Sequence, residues 1–394
     1  MSQENGAAMP SLPPLYQPGH LPGGLKVDPG WAYVPPVRPD FRLNLDREET
    51  TCPPAVSLDE ADRRRRADFP IQQSNRYPSK LIEAALAGRI AAGAGVDRAN
   101  VLVGNGIMSL LTYVYEVYSR PGEYVTVPTP GFWPAYTYAM QRARGVWMPM
   151  YLADGADPLR PRFIFPLEQV REALSRGSAI CYLCNPNNPT GTLIPFEHLA
   201  ALVNEFPRTL FVWDEAYGPF AAYRLDPRLF ELPQAVELVR QGCPNLVVTR
   251  TFSKVHALAN HRVGYLVSHP NNVETLRAHM GPYDMSELSL AMAYYNYQEP
   301  DFVQRVVRTV VEHMDTYQAF LHQRGVPTYG GYRNSLLVEG LELGRRYERE
   351  GIAVRSMVYQ AGIPNPIAST FRITMPADRA NFEFLMSVTE GVTA

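Results

Sequence analysis

The stretch TFSKVHALANHRVGYLV, residues 251–267, sets an amine, Lys254, beside two hydroxyl residues, Thr251 and Ser253, and places a guanidinium, Arg262, eight positions later. A primary amine in such a setting serves as a nucleophile toward a carbonyl or as a proton carrier. A planar guanidinium next to hydroxyls suits phosphate, whose oxygens match its fork of donors. Upstream, TLFVWDEAYG puts Asp214 at the end of an apolar run with Tyr217 three residues on; taken alone, an aspartate there caps the following turn. NPNNPTG, residues 185–191, is rich in turn formers and by itself reads as a loop. Gly104-Asn105-Gly106 precedes a helical pattern; amides at a helix start attract phosphate, and a glycine turn is also common there.

All of these residues fall where strands must end. NVLVG, EYVTV, AICYLC, TLFVWD, LVVTR and VGYLV are short apolar runs, several rich in β-branched residues, and read as strands. Ile107, Leu110, Leu111, Val114 and Val117 recur at helical spacing, so a helix opens just after the glycine turn. Strands alternating with helices predict an α/β fold around a mainly parallel sheet, in which ligands bind beyond the carboxyl ends of the strands. Beyond residue 296 the character changes: a long amphipathic run, DFVQRVVRTVVEHMDTYQAFLHQRG, leads to SLLVEG and TFRITM. This predicts a smaller α+β domain. The organisation expected is a Pro-rich arm over 1–41, an N-terminal part of the small domain over 42–70, a large domain over 71–295 and a small C-terminal domain over 296–394.

The bulk properties point to small molecules as partners. At 394 residues the chain exceeds what one core usually serves. Its 37 basic and 39 acidic residues nearly cancel, which provides no footprint for nucleic acid or an anionic membrane. No run approaches the roughly 20 apolar residues of a membrane helix, and a cytoplasmic location is expected. Cys181 and Cys184 form a C-x-x-C inside an apolar strand pattern, which reads as packing, and no metal site is expected. DRRRR, Asp62–Arg66, reads as a solvated helix face.

Taken together, NPNNPTG, Asp214-x-x-Tyr217, Thr251-x-Ser253-Lys254 and Arg262, in that order, resemble the signature of the aspartate-aminotransferase superfamily. With NRYPS near residue 77, VLVGNG at 101, LANHRVGYLV and the terminal FRITM, the chain is most similar to the histidinol-phosphate aminotransferase branch over roughly residues 42–390. The resemblance implies fold type I: a large domain with a mainly parallel seven-stranded sheet between helices, plus a smaller α+β domain. It implies pyridoxal 5'-phosphate as cofactor, bound by the large domain, a substrate loop within 42–70, and transfer of an amino group between an L-amino acid and a 2-oxo acid. A cyclase, lyase or oxidase using the same carbanion chemistry is the alternative.

By the same resemblance Lys254 forms a Schiff base with the cofactor aldehyde, Asp214 keeps the pyridine nitrogen protonated, and Tyr217 and Asn188 hold its ring oxygen. Arg262 and the amides of Asn105, Gly106 and Ile107 hold its phosphate, joined by Tyr77 from the neighbouring subunit of a homodimer, and Thr251 and Ser253 contact that phosphate or the surroundings of the lysine. Trp133 stacks on the ring, with Phe132 as alternate, and Arg372 takes the substrate carboxylate, with Arg355 as a second candidate. The chain departs from the branch where LNENP becomes LNLDREETTCPP. Its Asp46, Glu48 and Glu49 read as a solvated acidic loop, with selection of a basic amino acid as the alternative. GNGIMSLL in place of GNGSDEL and LANHR in place of LAGLR are further departures.

Overall fold

Residues buried on both faces of a sheet read as continuous apolar runs, and the strands of the large sheet follow that rule. The computed structural model describes residues 41–69, 75–142, 144–160, 162–358 and 365–393, so the Pro-rich arm lies outside the described residues apart from Phe41. Seven strands form the large sheet: β1 (Val101–Gly104), β2 (Tyr124–Thr126), β3 (Gly145–Trp147), β4 (Ile180–Cys184), β5 (Leu210–Asp214), β6 (Leu246–Thr251) and β7 (Gly264–Ser268). Their spatial order is β1-β7-β6-β5-β4-β2-β3. β7 runs antiparallel to both of its neighbours, and the other pairs are parallel.

Every residue of β4 and β5 is buried. Alternation along β5 sends Phe211 and Trp213 into the apolar layer on one face and Leu210 and Val212 into the layer on the other. Cys181 and Cys184 are packed in the same way, and burial pushes both thiols up, away from thiolate chemistry. Register places Asp214 level with Cys184 on one side and Thr249 on the other. Its carboxylate therefore stands at the carboxyl edge of the sheet centre.

A second sheet contains β8 (Thr328–Tyr329), β9 (Ser335–Glu339), β10 (Arg355–Ser356) and β11 (Thr370–Thr374), in the order β8-β9-β11-β10. All of its pairs are antiparallel. The amphipathic run becomes a helix of 23 residues, Pro300–His322, which buries Val306, Val310, Met314, Tyr317 and Leu321 against this sheet.

The segment 42–70, expected as one piece of the smaller domain, divides. Leu43 and Leu45 join the cluster of the second sheet, while Val56 and Ala61 pack with the large sheet. Cys52 still packs on the cluster of the second sheet, so the chain passes from one cluster to the other between Cys52 and Val56. DRRRR lies on the helix Leu58–Asp68, where Arg63 and Arg66 are exposed and pair with Glu60 and Asp62 one turn away, whereas Arg65 also reaches Glu287. Among the described residues no helix is long and apolar enough to cross a membrane.

Candidate active site

One side of the site is built by close approach of three segments. β1 ends at Gly104, and a helix over Gly106–Tyr118 opens at once, with Asn105 as its N-cap and no side-chain cap on its first amides. Gly106 has φ +76, and a Cβ there would lie 2.6 Å from Arg262 Nη2. A Cβ on Gly264 would lie 2.9 Å from the amide nitrogen of Ile107, so the start of β7 also presses on the helix N-terminus. Arg262 enters β7 from the left-handed region, φ +52, and donates to Ala259 O at 2.8 Å and to Ser253 Oγ at 3.4 Å. Thr251 Oγ1 accepts from the Ser253 amide at 3.0 Å, fixing the turn that carries both hydroxyls. Asn105, Gly106, Ile107, Thr251, Ser253 and Arg262 are thus gathered into one cationic, amide-rich cradle.

The acid side is the end of β5. Asp214 is 3% exposed, accepts from the Ala216 amide at 3.0 Å through Oδ1, and accepts a short hydrogen bond from Tyr182 through Oδ2. Burial pushes its carboxyl up, and these donors only partly offset that shift. Tyr182 escaped the sequence reading. The signal was there: a tyrosine inside an otherwise apolar strand needs a partner for its hydroxyl. Of the two candidate stacking rings, Phe132 lies 6.3 Å from Tyr182, nearly parallel at 28°. Trp133 instead begins the helix Trp133–Gln141 and meets Tyr136 edge-on at 5.3 Å.

Lys254 follows β6 and points across the gap between the two sheets. Its Nζ donates to the Glu48 carbonyl at 3.0 Å and lies 5.5 Å from the centroid of the Tyr217 ring. Burial pushes the amine down to about 8, against the attraction of Glu48. Tyr217 and Asn188, both buried, share a hydrogen bond of 2.9 Å. Arg372 on β11 donates to Asn188 Oδ1 at 3.1 Å, and Arg355 stands opposite it in register on β10.

The solvated reading of the acidic loop is overturned at two of its three positions. Asp46 and Glu48 are each 3% exposed, and only Glu49 faces solvent. Glu48 pairs with Arg372 at 3.0 Å and with Arg333, which is fully buried. Burial works to raise the Glu48 carboxyl, but the charges of Arg372, Arg333 and Lys254 prevail and hold it well below the usual carboxylate range. Selection of a basic substrate by this carboxylate loses its basis, because two cations of the chain already engage it. Arg333 was absent from the sequence reading, since an isolated arginine after a glycine-rich loop carries no local sign of burial. Tyr77 is not brought to this gap: it is 73% exposed and stacks on Tyr283 at 4.2 Å.

The arrangement fits a phosphate-bearing aromatic aldehyde. The cradle closes only because Gly106 lacks a Cβ, a desolvated acid waits for a cationic partner, and a recessed amine has a lowered pKa. The class I and II aminotransferase family matches residues 44–383. A histidinol-phosphate aminotransferase of Rubrobacter xylanophilus is 31% identical over 289 residues, 72% of this chain and 76% of the relative. An aromatic amino acid aminotransferase of Thermobifida fusca is 32% identical over 309 residues, 78% of this chain and 76% of the relative. The fold is similar to the crystal structure of histidinol-phosphate aminotransferase from Sinorhizobium meliloti in complex with pyridoxal-5'-phosphate, with a TM-score of 0.75, 23% identity and coverage of 90% and 91% of the two chains. Motifs in order, a seven-stranded sheet with one antiparallel member and a family match over most of the length agree: this chain belongs to the class I and II aminotransferases, fold type I enzymes whose cofactor is pyridoxal 5'-phosphate.

Proposed function

We propose that Lys254, Asp214 and Tyr217 carry the transamination between an L-amino acid and a 2-oxo acid. The observation that carries this assignment is the shared gap in which the Lys254 amine faces the Tyr217 ring and contributes to the field at the buried Asp214. Pyridoxal phosphate, when bound, supplies an aldehyde and an electron-withdrawing ring. Asp214 holds the proton on the ring nitrogen, and a cation there relieves the burial of its own charge. Tyr217 and Asn188, whose donors are turned to Glu48 in this structure, would turn them to the ring oxygen, and Trp133, or Phe132 beside it, would cover the ring face.

The cradle of Asn105, Gly106, Ile107, Thr251, Ser253 and Arg262 grips the phosphate. Lys254, once free, moves the proton at the reacting carbon of the substrate; with its pKa near 8, a useful fraction is neutral at physiological pH. Arg372 receives the substrate carboxylate, with Arg355 beside it. Tyr77, exposed on its own subunit, reaches the phosphate of a second copy, so the working unit is a homodimer. The proposal includes a cytoplasmic location, where thiols such as Cys52 and Cys243 stay reduced.

The names of the relatives make ring-bearing amino donors the first to test. Purified enzyme mixed with such a donor and no acceptor is expected to accumulate the amine form of the cofactor, read by absorbance. Rapid return to the lysine-bound form would point to a lyase or cyclase. Lys254→Ala is expected to lose the lysine-bound absorbance band and all transfer; retention of both would refute the assignment.

A further inference from the structure

Glu48 takes no part in the chemistry above, yet both of its carboxylate oxygens are saturated. Oε1 accepts from Arg333 Nη1 and, at 2.8 Å, from Ser335 Oγ. Oε2 accepts from Tyr217 OH at 2.7 Å and Asn188 Nδ2 at 3.0 Å, and pairs with Arg372 Nη1 at 3.0 Å. The backbone is anchored as firmly: Glu48 N donates to Thr374 Oγ1 at 3.1 Å, and its carbonyl accepts from Lys254 Nζ at 3.0 Å and Asn334 Nδ2 at 3.1 Å. Arg372 Nη2 in turn donates to the Asp46 carbonyl at 2.8 Å. The fork of Arg372 is therefore occupied by acceptors of this chain, next to the amine that performs the reaction.

A substrate carboxylate arriving at Arg372 meets a carboxylate already there, and like charges in a desolvated pocket repel strongly. Arg333 cannot leave with the newcomer. It is fully buried, and its Nη2 donates to Pro189 O at 2.8 Å. Two guanidiniums against one carboxylate leave a single positive charge in excess, enough to admit one more anion at reduced affinity.

We propose that Glu48 is a specificity-determining residue, an internal carboxylate that competes with the substrate's carboxylate for Arg372 and so narrows the preference for donors bearing a carboxylate on the reacting carbon over amines that lack one. The proposal rests on the aminotransferase reading of the same site. It is tested with holoenzyme by titrating acetate, which offers only the carboxylate, and by comparing L-phenylalanine with phenethylamine in the half-reaction, both read through cofactor absorbance.

Glu48→Gln is expected to tighten acetate binding at least about tenfold, and to raise the amino acid to amine ratio of apparent affinities by a similar factor. A merely structural role would move both donors together. Because Glu48→Gln leaves Arg333 without its counter-charge, the double variant Glu48→Gln/Arg333→Met, which leaves Arg372 alone, is measured beside it. Acetate affinity equal to wild type in the folded variants, or an unchanged donor ratio, would overturn the proposal. Failure of the aminotransferase reading looks different: neither donor alters the wild-type absorbance, and the acetate titration still decides the role of Glu48.

Discussion

Glu48 and Asp214 are equally buried, and their carboxyls shift in opposite directions. Desolvation acts on both, so the difference lies in the partners. Glu48 has two guanidiniums and an amine around it, whose attraction outweighs the cost of burial. Asp214 has mainly neutral donors, the Tyr182 hydroxyl and the Ala216 amide, which do not overcome burial. One carboxylate is thereby held charged by cations of the chain, and the other is held mainly by neutral donors. At Lys254 the same balance yields an amine pushed down to about 8, with burial outweighing the pull of Glu48. Only the neutral amine adds to an aldehyde, so cofactor uptake by apo-protein should accelerate as pH rises toward about 8 and then level off. Stopped-flow absorbance measures this; a rate still climbing toward the ordinary lysine value of about 10.4 would contradict the shift. The sign for stability is the same. A depressed lysine contributes fully above its unfolded pKa, and that contribution is lost as pH falls through about 8.

Among elements, the proposed phosphate cradle depends on the start of the helix Gly106–Tyr118 lying against β7 with no side chain between them. Gly106→Ala puts a methyl 2.6 Å from Arg262 Nη2 at a φ of +76, so it strains the turn and displaces the guanidinium together. Cofactor affinity is expected to fall about tenfold or more by equilibrium titration. Gly95→Ala is the control: its φ is +65, with nothing within 4 Å of the added methyl, so it should lower the melting temperature and leave cofactor affinity intact. Equal affinity loss in both variants would show that the cradle is not the cause. The helix start, the strand ends and the amphipathic helix Pro300–His322 were legible because periodicity and turn residues act locally. The division of 42–70 between the two sheets was not legible, since Leu43, Leu45, Val56 and Ala61 are alike in hydrophobicity and differ only in what covers them.

For the whole molecule, the proposal that Tyr77 serves a second copy concerns a residue that is exposed on its own chain and stacked on Tyr283. If Tyr77 serves a neighbouring phosphate, Tyr77→Ala weakens cofactor binding and Lys254→Ala abolishes the covalent link. Mixing the two variants under conditions of subunit exchange should then restore about a quarter of the sites to wild-type affinity, since half the dimers are mixed and each holds one intact site. Titration of the mixture with cofactor measures that fraction; its absence would place Tyr77 outside the site. The sequence by itself determined the fold class, the cofactor chemistry and the residues Lys254, Asp214, Asn188, Tyr217 and Arg262 as the set to examine, because each sits in a short motif that resembles one of the family's. Only the tertiary structure decided that Glu48 and Arg333, 285 positions apart, meet in a buried pair beside Arg372, and that Phe132 rather than Trp133 lies along Tyr182. Hydrophobic periodicity marks which apolar residues are buried; which charges are buried, and which meets which, depends on distance through space and is set when the chain folds.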